Sequence, residues 1–256
     1  ALRAAQRIDD RIGQAYSHRS LSCVFIELGQ LADAERHSRA ALDLFDEAGN
    51  LVAMAALRLN LGIIAERRGA LHEGVRHTER AYELYRAIGQ RLGQATALNN
   101  LGWLHGRLGD HKAALDHCRR ALAILERLGD RKALAAISDS LGAVYSDTSE
   151  RERAWACYRR GILLCRKTGD RFAEASTYVS LGDCHDRTGN PTRAQRAWRR
   201  ALTILDDLDH DGAADLRRRL QATPVPDRDR ANATGAPGLA RARRRPTSRR
   251  FRVSHR

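Results

Sequence analysis

The chain has 256 residues, 43% of them apolar but only 5% aromatic, and a formal net charge of +14. A core with so few rings must be mostly Leu and Ala, which suits close-packed helices and disfavours a sheet. No apolar run reaches the roughly 20 residues that a bilayer span needs, and the first residues show no signal-peptide pattern, so a cytoplasmic protein is expected.

Charge and thiols narrow the classes further. Only Lys112, Lys132 and Lys167 are Lys among 45 cationic side chains, a bias that fits a GC-rich genome. Residues 222–256 hold ten Arg against Asp227 and Asp229, so more than half of the net charge sits there. The five cysteines are odd in number and lack a CxxC pair, which predicts free thiols in a reducing compartment. Cys118, Cys165 and Cys184 fall in core register.

Taken in order, the chain opens in mid-repeat. Ala1-Leu2 aligns with Ala41-Leu42, so residues 1–9 read as the end of a second helix whose first helix is absent. An apolar edge of that kind needs a cover, and an upstream segment is expected to supply it. From residue 10 an uninterrupted forty-residue period gives five units: 10–49, 50–89, 90–129, 130–169 and 170–209. Leu recurs at Leu21, Leu61, Leu101, Leu141 and Leu181, each followed by Ser22, Gly62, Gly102, Gly142 or Gly182. A mid-unit turn falls at Gly29, Gly69, Gly109, Ser149 and Gly189. A closing turn falls at Gly49, Gly89, Gly129, Gly169 and Asp209.

Each unit reads as two amphipathic helices. In the third, Ala95, Leu98, Leu101, His105 and Leu108 share one stripe, and Ala114, Cys118, Ala121 and Leu125 share the next. Gly109 can stop the first helix in a left-handed conformation, and Asp110 can cap the second. Asn190-Pro191 supplies a cap followed by Pro at the first helical position. The fourth unit departs twice: Ser149 replaces a turn glycine, and Gly161 replaces a helical Ala at a cost of ~1 kcal/mol. Residues 210–221 read as a solvating cap helix. Residues 222–256, with four of the five prolines, read as a disordered basic tail.

These units resemble tetratricopeptide repeats (TPRs) in a forty-residue form. The residues that carry the likeness are the Leu-Gly pair, the position four on (Phe25, Ala65, His105, Tyr145, His185) and the second-helix small residue (Ala34, Gly74, Ala114, Ala154, Ala194). The bulky position after it (Ser38, Thr78, Cys118, Tyr158, Trp198) and the late Ala (Ala41, Ala81, Ala121, Gly161, Ala201) complete the set. The family's proline near the end of the second helix is absent. The resemblance implies an all-α, right-handed superhelical solenoid of helix-turn-helix repeats. Phrases such as Ala97-Leu98-Asn99-Asn100-Leu101-Gly102 also resemble the C-terminal arrays of bacterial transcriptional regulators of the antibiotic-regulatory-protein type, which carry a DNA-binding domain and an NTPase module before the repeats.

In such arrays the first helices line a concave groove. The resemblance places Ser20, Asn60, Asn100, Ser140 and Ser180 on it, a row of short side chains able to hold an extended peptide's backbone. Positions that differ between units, including Arg19, Asn99, Trp103, Arg107, Asp139 and Asp183, would set specificity. Trp103 would be an exposed aromatic anchor. Arg67 and Arg107 would receive an acidic or C-terminal carboxylate.

Catalytic patterns fail on geometry. Gly161 to Lys167-Thr168 has Arg166 where a phosphate loop needs its second Gly. His72 and His77 are five apart, which puts the rings on different faces of a helix where a metal needs one face. No enzyme activity, cofactor or metal is expected. The expected function is protein interaction, as the partner-binding or sensory part of a bacterial transcriptional regulator. The alternative is nucleic-acid association through Arg243, Arg244, Arg245, Arg249 and Arg250 by counterion release, and a third is a small-ligand or signal-peptide receptor.

Overall fold

The computed structural model describes residues 1–222, all of whose regular elements are helices. They are α1 (Leu2–Arg7), α2 (Arg11–Glu27), α3 (Leu31–Glu47), α4 (Leu51–Arg67), α5 (Leu71–Ala87) and α6 (Arg91–Arg107). There follow α7 (His111–Leu128), α8 (Arg131–Asp147), α9 (Arg151–Thr168), α10 (Arg171–Arg187), α11 (Pro191–Asp207) and α12 (Gly212–Ala222). The pairs α2–α3 to α10–α11 stack in sequence as a right-handed TPR-like solenoid. α2 packs on α4, α8 packs on both α6 and α10, and Trp103 and Arg107 of α6 reach Glu66 of α4, so the first helices form one inner row. The second helices form the outer row.

Local signals explain the boundaries. Gly109 takes φ +81°, and the Asp110 amide donates back to the His105 carbonyl at 2.9 Å, closing α6 in a Schellman turn. The Asp110 carboxylate then accepts from the Ala113 amide at 3.0 Å and caps α7. Asp10, Asn50, Asp130, Asp170 and Asn190 cap their helices in the same way, with Pro191 in the first turn of α11. Ser149 keeps the turn at φ +62° although it carries a Cβ, so the fourth unit holds backbone strain where most of the others have glycine.

Inside each pair the residue after the recurring Leu meets the second-helix position sixteen residues on. Ser22 and Ser38 share a buried hydroxyl–hydroxyl hydrogen bond of 2.6 Å. In the later units a glycine faces Thr78, Cys118, Tyr158 and Trp198 in turn, and a Cβ on Gly62, Gly102, Gly142 or Gly182 would stand less than 3.0 Å from that side chain. The glycines are there for close approach, since all four lie in helices. Tyr158 and Trp198 are thereby buried to 2% and 3% exposure. Cys118, Cys165 and Cys184 are buried free thiols. Burial pushes the Cys118 thiol up to about 12, with Cys157 beside it adding to the shift.

Candidate functional site

The inner row contains two hollows that meet at Asp139. One, of about 250 Å³, is lined by Trp103, Arg107, Asp139, Ser180 and Asp183 among others. The second, of about 370 Å³, includes Asn99, Asp139, Ser140 and Thr177. Seven of the residues that the sequence placed on a groove are thus gathered around one carboxylate. Arg19, Asn60, Arg67 and Asn100 line neither hollow.

Asp139 lacks a cationic partner. Its Oδ1 is buried without a hydrogen bond, and the neighbouring Ser180 and Thr177 hydroxyls, shared with the Ser176 and Ala173 carbonyls of their own helix, only partly favour the charged form. Burial outweighs those hydroxyls and pushes its pKa up to about 6. Asn99 also leaves its Oδ1 buried and unpaired. Two orphaned acceptors on one groove wall are costly unless something donates to them. Trp103 stands beside them at 43% exposure, its indole N–H reaching Glu66 at 3.4 Å.

Other candidates are spent inside the array. Arg67 donates to the Ile26 carbonyl of the preceding unit at 2.5 Å, which ties its side chain down, and Arg107 is already matched by the Glu66 carboxylate. The stacking of adjacent first helices brings those partners within reach. Asp183 accepts from the Trp198 indole at 2.9 Å and from Arg219 at 3.2 Å. Asp147 takes Arg187 at 2.7 Å. The row of short polar side chains is also broken, because Ser20 and Ser180 turn back to the carbonyls of Tyr16 and Ser176 on their own helices. Asn60 reaches only Cys23 Sγ, at 3.5 Å, and Arg19 lies over the Tyr16 ring.

Glu66 and Thr177 were not singled out from sequence. A signal for Glu66 existed. Contacts between successive first helices recur at offsets of 37 and 41 residues: Asn60–Cys23 and Trp103–Glu66 at the first, Arg67–Ile26 and Arg107–Glu66 at the second. Among the described residues no three His, Cys, Asp or Glu side chains gather as a metal site, and no helix is long and apolar enough to cross a membrane. Arg243, Arg244, Arg245, Arg249 and Arg250 lie outside the described residues, as does the basic tail from residue 223 onward.

Comparison with known proteins agrees with this architecture. The tetratricopeptide repeat family matches residues 53–127. No curated protein matches the sequence. Among solved structures, BtubC from P. vanneervenii is 18% identical, with a TM-score of 0.64 over 97% of this chain and 94% of that one. A Rap protein complexed with Competence and Sporulation Factor is 20% identical, with a TM-score of 0.62 over 83% of this chain and 64% of that one. A signal transduction ATPase with numerous domains and a tetratricopeptide repeat sensor, from Pyrococcus horikoshii, is 15% identical at a TM-score of 0.66. That match covers 87% of this chain but 35% of the other. At these identities the likeness is one of fold. The chain has the fold of a tetratricopeptide-repeat solenoid, and its residues 53–127 match that family.

Proposed function

We propose that the array is a non-catalytic interaction scaffold that holds an extended segment of a partner protein in the inner groove around Asp139. The observation that carries this reading is the pair of buried, unpartnered acceptors, Asp139 Oδ1 and Asn99 Oδ1, in the walls of adjoining hollows. A peptide brings backbone N–H donors at regular spacing and can satisfy both. Trp103 adds an apolar surface at the rim. The Rap protein solved with a bound factor and the repeat-bearing sensor ATPase are consistent with partner binding on this fold. The finer reading is that the array is the partner-sensing part of a bacterial transcriptional regulator, which rests on the resemblance of its repeat phrases.

The test is selection of peptides from a displayed random library, followed by titration into wild type and an Asn99→Ala/Asp139→Ala variant. Selected peptides should bind wild type at least ~10-fold more tightly, the scale of one to two lost charge-assisted hydrogen bonds. Equal affinity for both proteins would remove the groove from the account.

A further inference from the structure

We infer that the outer face carries a second docking site, between α9 and α11, for an acidic segment of a partner protein. This site is independent of the inner groove. It is a channel of about 720 Å³ whose banks carry five Arg, Arg159 and Arg166 on one side and Arg193, Arg196 and Arg200 on the other, with Glu152 as the one acidic lining residue. Its floor is α10. Among the described residues only Arg166 of these five meets a carboxylate, that of Glu174. Arg159 donates to the Trp155 carbonyl at 3.3 Å, Arg193 lies 5.4 Å over the Trp155 ring, and Arg200 donates to the Tyr178 hydroxyl at 3.3 Å. Cations held by neutral partners keep their Coulombic demand for an anion.

The cations gather at two ends. Arg166 and Arg200 share the Tyr178 hydroxyl. Arg159 and Arg193 sit beside His185, whose pKa is lowered by burial first and then by those two charges. Tyr178 and His185 are seven residues apart on one helix, or about 10 Å. Between the ends lie Ile162, Leu181 and Ala197, with Leu163 52% exposed on the bank. The channel therefore fits two carboxylates about 10 Å apart flanking an apolar side chain, which an extended chain presents on one face at positions i, i+2 and i+4, its flexible acidic side chains leaning inward across the ~13 Å span.

A peptide suits this channel better than a small anion. One phosphate needs its guanidiniums at one point, whereas these are split by an apolar floor. Two further groups on the wall lack hydrogen-bond partners: Trp155 Nε1, a donor, and Nδ1 of His185, a residue only 8% exposed. An anion offers only acceptors, while a peptide backbone offers carbonyls and N–H groups to both. The chain's own residues 223–256 are excluded by charge, with ten Arg against two Asp.

The test uses the full chain and a panel of synthetic peptides carrying two Glu four positions apart around a central Leu, with Gln-for-Glu versions as partners. Fluorescence anisotropy should show binding of the Glu peptides, a loss of ~10-fold or more in Arg193→Glu/Arg200→Glu, and no change in Asn99→Ala/Asp139→Ala. Both Arg side chains are exposed, and an unchanged circular dichroism melt checks that the variant folds. Four results would overturn the inference: no panel member binding below ~1 mM, equal binding of Gln peptides, equal binding to the charge-reversed variant, or loss in the inner-groove variant. Displacement by inorganic phosphate at the concentration where chloride has no effect would also overturn it, by making this a small-anion site.

Discussion

One methyl group added at Gly102 should destabilise the array, although Ala is the better helix former. The new Cβ would stand less than 3.0 Å from Cys118 Sγ and 3.2 Å from the Ala114 carbonyl, and the backbone oxygen cannot yield. Overpacking of this kind costs ~1–3 kcal/mol, against ~1 kcal/mol gained in helix propensity. The net expectation is a loss of up to ~2 kcal/mol. Gly106, one turn on in the same helix, is the control. Its nearest neighbours would be Val144 Cγ2 at 3.8 Å and Ala114 Cβ at 4.0 Å, so Gly106→Ala should gain ~0.5–1 kcal/mol. Cys118→Ala alone should lose ~1 kcal/mol as a small cavity. In the Gly102→Ala/Cys118→Ala double variant the methyl occupies space the sulfur has left, giving a favourable coupling of ~1–2 kcal/mol. Urea unfolding followed by far-UV circular dichroism measures all four proteins. A Gly102→Ala protein at least as stable as wild type, or strictly additive losses, would refute close approach as the reason for glycine there.

Asp139 should make the fold less stable as pH rises. Its folded pKa of about 6 lies above the unfolded value of ~3.9, so stability is lost between those values as the unfolded chain gives up its proton first. Asp139→Asn should remove that decline and stabilise the protein at neutral pH by ~1–2 kcal/mol, and identical pH profiles for the two proteins would contradict it. The histidines act with opposite sign. His18, His37, His77, His117 and His185 all have lowered pKa values, with burial the first cause in each. Their stability is present above ~6.5 and falls as the unfolded state takes up protons below it. Melts of Asp139→Asn across that window should show this slope alone, and a flat profile would exclude it. Ser149→Gly should relieve the positive-φ strain and gain ~1 kcal/mol in urea unfolding. Gly161→Ala should gain ~0.5–1 kcal/mol, because its added Cβ would meet nothing closer than Thr177 Cγ2 at 3.4 Å; a loss would show that this contact cannot relax.

The sequence by itself determined the all-helical solenoid, because its signals are local and repeat. A Leu-Gly pair, a turn glycine and a capping Asp or Asn each act within a few residues, and the period tells every unit what it packs against. The same locality let Asn99, Trp103, Asp139 and Asp183 be placed together on the inner row. Tertiary structure alone decided which polar groups there remain unpaired. Arg67 and Arg107 read as free cations until the stacking of adjacent units brought the Ile26 carbonyl and Glu66 to them. Asp139 reads like Asp147 and Asp183, yet those two meet Arg187 and Arg219 while it meets only hydroxyls. The outer channel was hidden for a similar reason. Its five Arg come from two helices of different units in a chain with 45 cationic residues, and no periodicity marks which of them converge. Helix identity follows from neighbours along the chain, but partner choice among long charged side chains follows from distances across it, which only the superhelical stacking sets.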